Sequence, residues 1–120
     1  MNLPHQEPIR FVKELLQIDN GYASVSCVFS SLPSLAMVCE AAAQSSAAFA
    51  QEDKGITMGF LVSLKDIELL DELIYTDYII KIKRETIFGS MSEFKFELTK
   101  DSTIYAKGYL VIALQDETSK

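Results

Sequence analysis

One histidine, His5, and two cysteines, Cys27 and Cys39, are the only imidazole and thiol side chains in this chain of 120 residues. That scarcity argues against a dedicated transition-metal centre, and no other cofactor is expected. The cysteines form no CxxC pair and sit among apolar or small residues, so they read as reduced structural thiols. Basic residues are also few: 11 Lys and Arg stand against 17 Asp and Glu, for a formal net charge of −6. Nucleic-acid binders draw most of their affinity from clustered cations, so no nucleic-acid partner is expected. No apolar run approaches the roughly 18 residues that a membrane span requires. The opening "MNLPHQEPIR" lacks the charged-then-apolar layout of a signal peptide. The expectation is a cytoplasmic protein without a membrane span.

With 48% hydrophobic and 23% charged residues the composition lies well outside the disordered range. A chain of this length can bury a real core, so a single domain over residues 1–120 is expected. The one dense basic cluster, Lys81, Lys83 and Arg84, reads as a solvated strand edge, with a docking patch for an acidic partner as the functional alternative.

The apolar period changes twice along the chain. "FVKELLQI" and "YASVSCVF" read as extended segments joined by Asp19-Asn20-Gly21, a strong hairpin signal. Pro33 then closes the strand and Ser34 is placed to cap a helix. That helix is predicted from Leu35 to about Glu52, with Gly55 just past its end. After Gly55 the pattern is β throughout. "ITMGFLVSL" and "DIELLDEL" are extended and broken at Lys65 and Asp66, while "YIIKIKRETI" and "EFKFEL" alternate with a period of two. Lys100-Asp101-Ser102 makes a turn, and "IYAKGYLVIAL" presents Ile104, Ala106, Gly108, Leu110, Ile112 and Leu114 on one face. Two strands, one long helix and four or five further strands imply an α+β domain, an antiparallel sheet wrapped around a central helix.

The helix carries the candidate chemistry. In "CEAAAQSSAAFAQ" the helical repeat brings Glu40, Gln44 and Gln51 to one face with alanines between them, and sets Val38, Ala42 and Phe49 opposite. One reading makes that stripe the solvated side of an amphipathic helix. The other makes it a narrow floor on which Glu40 is buried, holds a proton and serves as a general acid. Met37, Phe49, Met58 and Phe60 read as core in preference to pocket lining.

"LPHQEPIRFV", then a hairpin, then "EAAAQSSAAFA", then "GFLVSLKDIEL" and further strands resemble the hotdog-fold 3-hydroxyacyl-ACP dehydratases of the FabZ/FabA type. The branch associated with aryl-polyene synthesis is the most similar, through Pro4-His5 and Glu40 with Ala43, Gln44 and Ala47. The resemblance implies a hotdog fold and removal of water from a 3-hydroxyacyl thioester carried by acyl carrier protein or CoA. It implies an acid role for Glu40 with an upstream histidine as base, support of Glu40 by Gln44, and backbone amides at Ser34 and Leu35 holding the thioester carbonyl; His5 matches the early Pro-His of the family and not its catalytic histidine. It also implies a homodimer or higher homo-oligomer, paired edge to edge.

The chain departs from that family in one place. Where FabZ-type members carry a His-Phe-Pro-Gly segment, this sequence has "SCVFSSLPSLAMV", with Pro33 but neither histidine nor glycine. His5 is then either a base that folds back over the helix, a structural residue, or irrelevant because the protein is a non-catalytic partner. Acyl-thioester hydrolysis, with the carboxylate activating water, also stays open.

Overall fold

The computed structural model describes residues 11–46, 49 and 56–116, and the side chains of all of these except 56–60 and 114–116. Six strands and one helix follow in the order β1 (Val12–Asp19), β2 (Tyr22–Val28), α1 (Leu35–Ser45), β3 (Ile56–Leu69), β4 (Asp77–Phe88), β5 (Met91–Lys100) and β6 (Thr103–Asp116). The strands form one sheet in the order β1-β2-β4-β5-β6-β3, with every neighbouring pair antiparallel. The chain thus builds a β1–β2 hairpin, lays α1 across one face, and carries β3 to the far edge before the β4–β5–β6 meander fills the middle.

Local chemistry accounts for each junction. Asn20 and Gly21 both adopt positive φ, 46° and 82°, the pair of left-handed residues that a tight hairpin turn needs. Asp101 and Ser102 do the same between β5 and β6 at 51° and 71°, so the predicted turn there is present. Ser34 caps α1 as expected, its hydroxyl accepting the Met37 amide at 3.2 Å. The helix is described to Ser45. Its predicted continuation toward Glu52 falls outside the described residues apart from Phe49, which is buried.

The core lies between α1 and the concave face of the sheet. Val38, Ala41 and Ala42 meet Ala23, Val25 and Cys27 of β2, Ile80 and Ile82 of β4, Phe94, Phe96 and Leu98 of β5, and Ala106 and Leu110 of β6. Phe49 stacks on Phe94 with ring centroids 5.4 Å apart. The opposed helical positions Val38, Ala42 and Phe49 are the buried ones, as their spacing predicts. Among the described residues no helix is long and apolar enough to cross a membrane.

Three expectations are corrected. The two extended segments on either side of Lys65-Asp66 are one strand, β3, interrupted by a bulge: Lys65 pairs with Tyr109 and Glu68 with Lys107, so Asp66 and Ile67 together oppose Gly108. Asp66 takes the left-handed conformation there, φ 53°, which Asp tolerates better than most residues. Ile104 does not share the buried face of β6. Leu98 pairs with Ala106 and Thr99 with Ile104, leaving Tyr105 as an extra residue that turns inward while Ile104 is exposed. Finally, Lys81 and Lys83 lie on β4, between β2 and β5, so they are exposed by the face they occupy and not by a sheet edge.

The β3 bulge tips Ile67 onto Gly108. A β-carbon at Gly108 would overlap Ile67 Cδ1 and stand 3.2 Å from Ile67 Cα and 3.3 Å from Phe96 Cε2. The side-chain tip can rotate away, but the Cα belongs to the bulged backbone. Gly108→Ala is therefore expected to cost about 1–3 kcal/mol, the usual range for overpacking, read as a lower denaturation midpoint at unchanged slope. A neutral result would show that the bulge yields freely.

Candidate functional site

The site begins at the amino end of α1. Ser34 Oγ takes the Met37 amide, and Met37 Sδ accepts the Ser34 amide at 3.5 Å, so a thioether stands where Glu or Gln completes the usual reciprocal cap. Val38 N–H already bonds Ser34 O at 3.1 Å. The amides of Leu35 and Ala36 are left with no intrahelical acceptor. No acidic residue lies in the first turn, so the positive end of the helix dipole is not neutralised from within. Ser34 is exposed and Leu35 half-buried. The Ser34 hydroxyl is committed to capping, and the polar capacity of this end rests on backbone amides.

Glu40 follows more than a turn later on the outward side of the helix. Gln44 Nε2 donates to Glu40 Oε2 at 3.3 Å. The other end of the same amide works in the opposite direction: Gln44 Oε1 accepts from the amides of Phe11 at 2.8 Å and Val12 at 3.3 Å. These two bonds span 33 and 32 positions in sequence. One side chain thereby fixes the Glu40 carboxylate and ties α1 to the entry of β1. The carbonyl of Phe11 accepts from Val28 N–H at 2.9 Å, so the same residue is also pinned to the end of β2.

Glu40 itself is exposed on this chain. That is the solvated-face reading of its stripe; the buried-floor reading is not met on this chain. Gln44 is half-buried. His5 and Gln51 lie outside the described residues. The structure therefore brings together Glu40, Gln44 and the amide-bearing end of α1 from the predicted set. The contribution of the Phe11 and Val12 amides had no signal in the sequence beyond the proximity of "PIRFV" to a hairpin.

The thiols stand apart from this chemistry. Cys27 is fully buried on β2, and burial pushes its thiol up to about 12, against a smaller lowering from a hydrogen bond with Ser45. Burial raises Cys39 as well. Both are free and neither is a ready nucleophile. Among the described residues no group of three or more His, Cys, Asp or Glu gathers as a metal site.

Comparison with solved structures finds the same architecture in proteins of distant sequence. The ApeI:P dehydratase heterocomplex from Xenorhabdus doucetiae matches over 97% of this chain and 90% of its own, with a TM-score of 0.74 at 13% identity. A hypothetical thioesterase from Streptococcus pneumoniae, solved with coenzyme A, matches over 88% of each chain at 0.68 and 15% identity. A Streptococcus mutans protein bound to acetyl CoA matches over 99% and 100% at 0.70 and 11% identity. No family model and no curated protein matches the sequence. One helix held against a six-stranded antiparallel sheet, shared with these structures, is the hotdog fold.

The double role of Gln44 gives a direct test. Gln44→Ala removes the acceptor from the buried Phe11 amide and the donor from Glu40, so it is expected to cost about 1–3 kcal/mol and to speed hydrogen exchange at Phe11. Unchanged stability with unchanged exchange at Phe11 would show that another group holds the entry of β1.

Proposed function

We propose that this protein binds and processes an acyl thioester carried by CoA or acyl carrier protein, and that its reaction is the dehydration of a 3-hydroxyacyl thioester. The observation that carries the reading is a carboxylate, Glu40, held in place by Gln44 on the same helix whose first amides are open. The solved structures of like fold include a dehydratase complex and proteins with CoA or acetyl CoA, which supports the same class of substrate.

In this reading the Leu35 amide region receives the thioester carbonyl, where the helix dipole favours the negative charge that develops on oxygen. A base removes the α-proton, and His5 is assigned that role as the only imidazole of the chain. Glu40 gives its proton to the 3-hydroxyl as the C–O bond breaks. Water departs and a 2-enoyl thioester remains. The proton gained by the base and the one lost by Glu40 are exchanged with solvent before the next turnover.

A general acid of this kind needs shielding that Glu40 lacks within one chain. The far edge of the sheet offers the means. Leu61, Val62 and Leu64 of β3 are 40%, 52% and 44% exposed, and Leu69 and Leu70 continue the apolar run to 50% and 47%. A long apolar strand with a free edge invites pairing with another chain. We therefore assign a homodimer joined through β3, in which the second copy closes the site.

The missing His-Phe-Pro-Gly segment favours a second reading, a non-catalytic partner of an active enzyme, and a single fixed carboxylate is also compatible with hydrolysis. One assay separates the three. Incubation with a 3-hydroxyacyl-CoA or 3-hydroxyacyl-ACP is expected to yield enoyl thioester, with turnover falling roughly 100-fold or more in Glu40→Gln at unchanged melting temperature. Free thiol as the product would replace dehydration by hydrolysis. Activity seen only after adding a co-purified dehydratase would favour the partner role. Sedimentation provides the companion test: Val62→Lys is expected to convert a dimer to a monomer, and a monomeric parent protein would overturn the assembly.

A further inference from the structure

Lys83 and Lys95 face each other directly across β4 and β5, on the side of the sheet away from α1. Like charges at opposed positions, where β-carbons are about 5 Å apart, destabilise a sheet. The chain bears this cost in a protein with six more acids than bases, so a shortage of carboxylates is not the cause. Neighbouring lysines on the same face are neutralised in the ordinary way: Lys65 pairs with Glu93 at 2.9 Å and Lys107 with Glu68 at 3.7 Å. Lys81 sits opposite Glu97 in register, yet among the described residues none of Lys81, Lys83 and Lys95 is within ion-pair distance of a carboxylate.

These three lysines, with Tyr22 and Glu97, line a cleft of about 130 Å³, open to solvent on one side. Tyr22 stands opposite Lys83 on β2, so the phenol flanks the cation pair. The cleft is small and open to solvent. It falls well below the roughly 300 Å³ at which pockets begin to hold drug-sized molecules, and suits one phosphoryl-sized group. Three ammonium groups would contribute donors and charge to an oxyanion. Glu97 is the unexpected member, because a carboxylate repels a fully ionised anion. Glu97 stands in register with Lys81 and Lys107, and a ligand that brings an acidic proton can donate it to this carboxylate while the lysines hold the remaining oxygens.

We propose that this cleft is a binding site for a hydrogen-phosphate group, supplied either by inorganic phosphate or by a phosphate monoester. The site lies on the opposite face of the sheet from Glu40 and Gln44 and does not rest on the acyl-thioester reading. The local strain between Lys83 and Lys95 is what the ligand relieves, in keeping with the tendency of locally unfavourable choices to mark functional positions.

The full-length protein is titrated with inorganic phosphate, adenosine 5′-monophosphate, sulfate and sodium chloride at matched ionic strength. Thermal unfolding and the amide NMR signals of β2, β4 and β5 are followed. Phosphate or the monoester is expected to raise the melting temperature by about 5 °C at roughly ten times its dissociation constant, and to shift signals around Lys83 and Lys95. A response to adenosine 5′-monophosphate much stronger than to phosphate identifies the monoester as the source, and the converse identifies the free ion. Lys83→Gln/Lys95→Gln is expected to abolish the response, and Glu97→Gln to admit sulfate as readily as phosphate. Without ligand, Lys95→Gln is expected to raise the melting temperature by about 1–3 °C through relief of repulsion. Equal effects of sulfate or chloride on the parent protein, or an undiminished phosphate response in the double lysine variant, would overturn the proposal.

Discussion

Everything in this fold follows from how closely α1 can approach the sheet. Ala41 and Ala42 on the helix and Ala23 and Ala106 on the strands are fully buried. Small groups on both sides bring backbone near backbone, and the sheet curls to keep its aromatic residues in contact with the helix flanks. Phe29 and Phe11, with centroids 4.9 Å apart, fill one end of that trough, and Phe49 with Phe94 fills the other. The helix packs most extensively on β4, β1 and β6, while β3 at the far edge keeps its leucines and valine in solvent.

How much of this was legible in the sequence depended on whether one local rule governed the outcome. The β1–β2 turn was readable because Asn20-Gly21 is chemically suited to two positive φ angles, and the α1 start because Ser34 has a hydroxyl in the capping position. The alternation of "EFKFEL" named both faces of β5 correctly. Two of the failures share a cause: a bulge. At Asp66-Ile67 an extra residue looks like a break between strands when it is a kink within one, and at Tyr105 an extra residue reverses which side chains face inward. A bulge is decided by cross-strand register, with Gly108 for the first and with Leu98 and Thr99 for the second, so the one-dimensional pattern has little power to reveal it.

The candidate site was legible in the same partial way. Helical spacing put Glu40 and Gln44 on one face, and they are hydrogen-bonded. It had no means of showing that Gln44 also accepts from Phe11 and Val12, since that contact is made by a residue 33 positions away across the fold. The position of Lys81 and Lys83 was misjudged for a related reason. Alternation marks a residue as solvent-facing without saying whether its strand is central or at an edge, and β4 is central.

The most consequential difference concerns Glu40. Burial of a carboxylate is what would raise its proton affinity enough for acid catalysis near neutrality, and the alanines beside Glu40 fit either such burial or a solvated face. Small neighbours, however, create room without deciding what fills it. On this chain the room beside Glu40 opens to solvent, and both edge strands, β1 and β3, carry exposed leucines, β3 the longer run. If a second copy is what closes that room, the acidity of Glu40 is a property of the assembly, and the same pairing that hides the leucines of β3 switches on the carboxylate. Gln44 would then keep the carboxylate oriented in the free chain, so that assembly changes its solvation without having to reposition it.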